Sequence, residues 1–200
     1  MAKLPELEPR RLTGAEPFHH GGAAENISVL EFWQWSASSL AANNLRGHLA
    51  EFLVSSDLGL ADGTRQEWAE CDIWTPKKFR IEVKSASYIQ QWAQSALSKI
   101  SFDIAPTHGW DYKKQRRIST KQRNSDAFVF CVIETRDQTT FDPLDLGQWA
   151  FYALATKEID RKLGAQKSLS LNGLQSLAHT KCKYGGIAEA LCNELRVKRL

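Results

Sequence analysis

Two acids and a lysine lie where neighbouring strands would set them side by side. They are Asp72, in Ala69-Glu70-Cys71-Asp72-Ile73-Trp74, and Glu82 and Lys84, in Arg80-Ile81-Glu82-Val83-Lys84. Side chains alternate along a strand, so Glu82 and Lys84 share one face while Ile81 and Val83 point to the other. The second face is apolar and wants a core. The first holds a carboxylate beside an ammonium, a pair that is costly to bury without partners. Thr75-Pro76-Lys77-Lys78, between the two segments, reads as a turn because proline presets its backbone for one. A tight hairpin would then bring Asp72 near Glu82. Two carboxylates with carbonyl oxygens make a hard oxygen site suited to Mg²⁺. A lysine beside it can hold, or help deprotonate, an attacking water. The bland alternative is an ordinary hairpin whose charges face solvent.

Other elements must position these residues. A helix is expected from about Asn43 to Ser55, with Leu45, Leu49, Phe52 and Leu53 as its apolar stripe. Asn44, Gly47, Glu51 and Ser55 lie along a different face, and Gly47 leaves room for something to pack close to Glu51. Ser28 is placed to cap an earlier helix carrying Val29, Phe32, Trp33 and Leu40 at near-helical spacing. Core packing is the expectation for Trp33 and Trp35, ahead of stacking on bases. Ile100, Phe102 and Ile104 alternate with Ser101 and Asp103, a strand pattern. Ala127–Ile133 is a continuous apolar run suited to a central strand buried on both faces. Trp149 to Ala155 reads as a further strand, with a helix as the alternative, and Ile187 to Leu195 as a closing helix. Residues 1–26, rich in Pro, Gly and charge, read as a mobile tail or an arm that packs late, leaving 27–200 as one domain. The order of elements predicts an α/β fold with a mixed central sheet flanked by helices.

The pattern of Asp72, Glu82 and Lys84 resembles the PD-(D/E)XK nuclease superfamily, which has the restriction-endonuclease-like fold. The resemblance is specific from about Asn44 to Trp92 and looser on to Ile133. It implies Asp72 and Glu82 as metal-binding acids, the Val83 carbonyl as a further ligand, and Lys84 as the catalytic lysine. Glu51 matches, in order and helix type, the extra acid that a preceding helix often supplies, binding a second ion or a metal-bound water. Gln90 or Gln91 matches the polar residue that often follows the lysine. Cys71 stands where the superfamily's name has a proline. The resemblance implies a Mg²⁺-dependent endonuclease that hydrolyses phosphodiester bonds in DNA, with Mn²⁺ able to substitute. No covalent intermediate is needed, so no serine or cysteine nucleophile is required. Burial would lower the pKa of Lys84 toward its task. A rival reading is a nucleic-acid-binding module of the same fold without cleavage. A third is a protein-interaction domain whose surface ion pairs are each worth little. A homodimer is compatible with all three.

Composition bounds the partners. Two hundred residues suit one domain, and 42% hydrophobic residues with seven tryptophans can fill a core. A net charge of +3 is too small to identify a polyanion partner. Its distribution says more. Lys113, Lys114, Arg116, Arg117, Lys121 and Arg123 fall in one short stretch, read as a phosphate-contacting loop against the alternative of a solvated one. Four cysteines without a C-x-x-C pair, no signal peptide and no membrane-spanning apolar run predict a reducing cytoplasm and no membrane. His179 and Cys182 lack a second pair at matching spacing, so zinc is not expected.

Overall fold

The apolar run from Ala127 becomes the centre of the fold. It forms strand β8 (Ala127–Ile133), and every residue of it is buried, as a strand covered on both faces requires. A computed structural model of the chain describes residue 4 and residues 7–67, 69–111, 116–177 and 179–200, with 109–111 and 116–118 described as backbone alone. β8 runs parallel to β4 (Arg80–Ser87) and antiparallel to β9 (Trp149–Ala155). β11 (Thr180–Cys182) pairs with β9, and the two-residue β3 (Ile73–Trp74) pairs antiparallel with β4. The sheet is thus five-stranded and mixed, in the order β11-β9-β8-β4-β3.

Alternation along β4, β8 and β9 divides the core into two layers. Ile81, Val83, Val129, Cys131 and Phe151 face α2 (Asn43–Asp57) and α5 (Ile187–Leu195), which bring Ala50, Leu53, Val54, Ile187 and Leu191. Phe128, Phe130, Tyr152 and Leu154 face the other way, onto Ile100, Phe102 and Ile104. Ile100 and Ile104 flank β5 (Ser101–Asp103), in which Phe102 is buried and Ser101 and Asp103 are exposed. β5 pairs with β10 (Ser168–Ser170), and α3 (Thr156–Leu163) and α4 (Leu171–Ser176) complete this layer with Ile159 and Leu174. The chain is therefore mixed α/β. Among the described residues no helix is long and apolar enough to cross a membrane.

The first segment departs from the sequence expectation. Residues expected as a tail contain an antiparallel hairpin of β1 (Pro17–His20) and β2 (Ala23–Ser28). Gly21 and Gly22 close it with φ of 58° and 86°, as a two-residue turn with both centres left-handed demands. Ser28 caps α1 (Val29–Ala37) through a full capping box with Glu31. Yet α1 buries no residue, and Trp33 and Trp35 are 38% and 86% exposed. Core packing of these two rings is thus overturned. The sheet face that helices cover is already filled by α2 and α5.

The basic stretch is also reorganised. β6 (Thr107–Asp111) and β7 (Arg116–Gln122) form an antiparallel hairpin in place of a loop. Lys113 and Lys114 lie outside the described residues. The turn between β3 and β4 forms as expected. Lys78 N–H donates to the Thr75 carbonyl at 2.8 Å and Lys78 takes a φ of 67°, the turn-plus-left-handed-residue device of short hairpins.

Candidate metal centre

The register of β3 on β4 sets the geometry. Ile73 opposes Ile81 and Trp74 opposes Arg80, so one step further places Asp72 opposite Glu82. The strand ends before that step, and a side chain takes over from the ladder. Asp72 Oδ2 accepts the Val83 N–H at 2.7 Å. Within a strand a residue's N–H and C=O leave on the same side, so the Val83 carbonyl is directed to the Asp72 side as well. Glu82 and Lys84 share a face, and Lys84 Nζ donates to Glu82 Oε1 at 2.6 Å. Asp72, Glu82 and Lys84 line one cavity of about 260 Å³ at the open end of the β5 side of the sheet.

Burial, and then the charge of Glu82, push the Asp72 carboxyl up from its ordinary 3.8 to about 7; the Val83 N–H pulls the other way. Burial works to lower the Lys84 ammonium, but the Glu82 carboxylate, its hydrogen bond and Asp72 outweigh it, and the net shift is upward. The expectation that burial lowers this pKa is thus corrected, because two acids face the amine. Lys84 keeps its proton at neutral pH. Cys71 is pushed up to about 12, by burial first and then by Asp72 and Glu82. Its thiol donates to the Ile73 carbonyl at 3.4 Å and keeps its proton at neutral pH.

The Asp72 shift carries a pH signature. Its native pKa is raised, so the carboxyl supports the fold below about pH 4, and that support is lost as pH climbs through about 7. Asp72→Asn keeps an oxygen for the Val83 N–H and removes the charge. Its melting temperature should exceed that of the wild type at about pH 8, and the two should converge near pH 4. A difference that does not vary with pH would contradict the raised carboxyl of Asp72.

The chain matches no family model, no curated protein and no solved structure. What the site can do therefore follows from its geometry. Among the described residues no three or more His, Cys, Asp or Glu side chains converge as a ready-made metal cage. Mg²⁺ does not need one: it binds through one or two carboxylates and completes its shell with water and substrate phosphate. The residues fit such an ion on one observation. The carboxylates of Asp72 and Glu82 and the Val83 carbonyl are hard oxygen donors brought to one place by the strand register, and a hard dication offsets the mutual charge that helps raise the Asp72 carboxyl.

The remaining expected residues divide. Glu51 sits on α2 and lines a second cavity, of about 300 Å³, whose wall includes Asp72. Both its oxygens are engaged by Arg65, at 2.6 and 3.1 Å, so ligation by Glu51 requires that clasp to open. The face of α2 turned to this cavity carries His48, Glu51, Phe52 and Ser55. Gly47 faces open space, with nothing within 4 Å of where a Cβ would stand, which corrects the expected close approach. Gln90 and Gln91 lie in an irregular segment after β4. Gln90 bonds the Ser87 carbonyl at 2.7 Å and accepts from the buried Arg46 at 3.1 Å, while Gln91 donates to Ser39 at 2.6 Å. These bonds tie both glutamines to structure around α2.

Arg123 is buried, and its guanidinium bonds the Ile104, Gly164 and Gln166 carbonyls and Asp160. It is a structural brace, which corrects its expected part in phosphate contact. Lys121 is exposed on β7, and Arg116 and Arg117 open that strand. Sequence reasoning missed Arg65, which no motif marks. It also missed Asp103, which lines the cavity of Glu82 and Lys84; the alternation of β5 had already turned Asp103 away from the core.

Proposed function

We propose that the chain is a Mg²⁺-dependent nuclease that hydrolyses phosphodiester bonds in DNA, with a restriction-endonuclease-like arrangement of the mixed sheet. One observation carries this reading: Asp72 is fixed by the Val83 N–H opposite Glu82, and Lys84 is held 2.6 Å from Glu82 on the same face. Asp72, Glu82 and the Val83 carbonyl would hold the ion, which when bound polarises the phosphate and activates a water. Lys84, kept protonated by its acidic neighbours, donates hydrogen bonds to orient the water and to offset charge gathering on the phosphate. Its role is electrostatic. Glu82 fixes the ammonium in place.

The basic hairpin supports a polyanionic substrate. Thr107, which opens β6, and Asn124, just beyond β7, line the same cavity as Glu82 and Lys84. The hairpin therefore springs from the wall of the site. Neutralising Lys113, Lys114, Arg116 and Arg117 together should weaken binding to all DNA sequences alike. It should flatten the salt dependence on duplex DNA by roughly 0.9 in slope for each phosphate that the hairpin no longer neutralises. Unchanged affinity and slope would remove the hairpin from the DNA-binding face.

The whole reading is tested by incubating labelled duplex and single-stranded DNA with the chain across a Mg²⁺ titration. Cleavage that rises with Mg²⁺ and stops with chelator is expected. Salt-sensitive binding with no cleavage at any Mg²⁺ concentration would favour the non-cleaving binding module instead.

A further inference from the structure

The second cavity has no part in the chemistry above, yet it adjoins it. It lies between α2, the 58–72 connection and β3, and Asp72 lines both cavities. Two large aromatic side chains stand at it, unburied: Phe52 is 54% exposed and Trp74 45%. Lone exposed apolar residues are ordinary, but two rings on one polar-rimmed cavity beside a candidate catalytic acid are a different case. Arg65, at 41% side-chain exposure, supplies a cation there.

Resting on the nuclease reading of Asp72 and Glu82, we infer that this cavity is a subsite for one unpaired nucleotide next to the scissile phosphate. Its occupant must be continuous with a phosphodiester held at Asp72, and the next group along such a chain is a nucleotide. About 300 Å³ is at the small end of ligand pockets, with room for a single base and its sugar. Exposed aromatic faces stack on any base without reading its edge. Arg65 suits the sugar–phosphate, because the guanidinium fork that now clasps the Glu51 carboxylate can exchange it for a phosphate of similar geometry. The substrate class that follows is DNA with a frayed, flapped or single-stranded segment at the cut, in preference to closed duplex.

The test is equilibrium binding of the full chain, without divalent cation, to a labelled short oligothymidine and to a blunt hairpin duplex. Trp74→Leu and Phe52→Leu keep apolar bulk and remove the ring. Each should weaken oligothymidine binding by roughly tenfold and duplex binding far less, because paired bases remain stacked on one another. Trp74→Tyr, which restores a stacking face, should recover most of the loss. Equal losses on both ligands, no loss on the single strand, no recovery with tyrosine, or a wild type that binds no single strand would each overturn the subsite. Failure of the hydrolytic reading is distinguishable, since it shows as absent Mg²⁺-dependent cleavage whether or not Trp74-dependent binding is found.

Discussion

Asp72→Ala and Glu82→Ala should each cut Mg²⁺-dependent cleavage by about 10³-fold or more while leaving the fold intact. Each removes one of the two carboxylates that would hold the ion, and an ion at the phosphate supplies several kcal/mol of charge stabilisation, with each 1.36 kcal/mol worth about tenfold. The fold should survive because Asp72→Ala relieves both the desolvation and the Glu82 charge that raise the Asp72 carboxyl in the metal-free protein, and Glu82→Ala relieves that charge. The core here is built by Ile73, Ile81 and Val83, which the substitutions leave alone. Glu82→Ala also frees Lys84 from its 2.6 Å partner, so this variant should lose the orientation of the amine as well. Circular dichroism and a cleavage time course on the same preparations decide the matter. Near wild-type rates in either variant would place the chemistry elsewhere.

Lys84→Ala should slow the chemical step by about 10²–10³-fold, the usual cost of removing one preorganised donor from a charged transition state. Its effect on DNA affinity should be small by comparison, because one ammonium among many phosphate-facing groups adds little to binding. Single-turnover rates at saturating DNA separate the two. The upward shift of this amine adds a further expectation. A lysine acting as base would need a lowered pKa and would give activity rising with pH through its own titration; an electrostatic lysine gives no such limb near neutrality. Unchanged single-turnover rates in Lys84→Ala would take the residue out of the mechanism.

Much of this arrangement was legible in the sequence because it rests on local rules. Strand alternation put Glu82 and Lys84 on one face with Ile81 and Val83 opposite, and Pro76 announced the turn that carries Asp72 back toward Glu82. The buried run Ala127–Ile133 declared the central strand by apolarity alone, and Ser28 declared its cap. What the sequence hid depends on long-range packing. Arg65 sits in a connection without periodicity, so its clasp on Glu51 had no local signal. Arg123 looked like one more cation of a basic run, and only its bonds to Ile104, Asp160, Gly164 and Gln166 reveal a buried brace. Val29, Phe32 and Trp33 have a helix's spacing, but spacing does not say whether a sheet face is left to receive it. The direction of the Lys84 shift was misread because burial and two neighbouring acids oppose each other, and only distances decide which prevails.

The central claim is that a hard dication binds between Asp72 and Glu82. A crystal of the protein soaked in Mn²⁺, with anomalous data collected at the manganese edge, tests it most directly. The account predicts an anomalous peak within ligand distance of one oxygen from each carboxylate and of the Val83 carbonyl, lost in an Asp72→Asn crystal soaked alike. Absence of any peak there, or a peak that stays in the Asp72→Asn crystal, would contradict it.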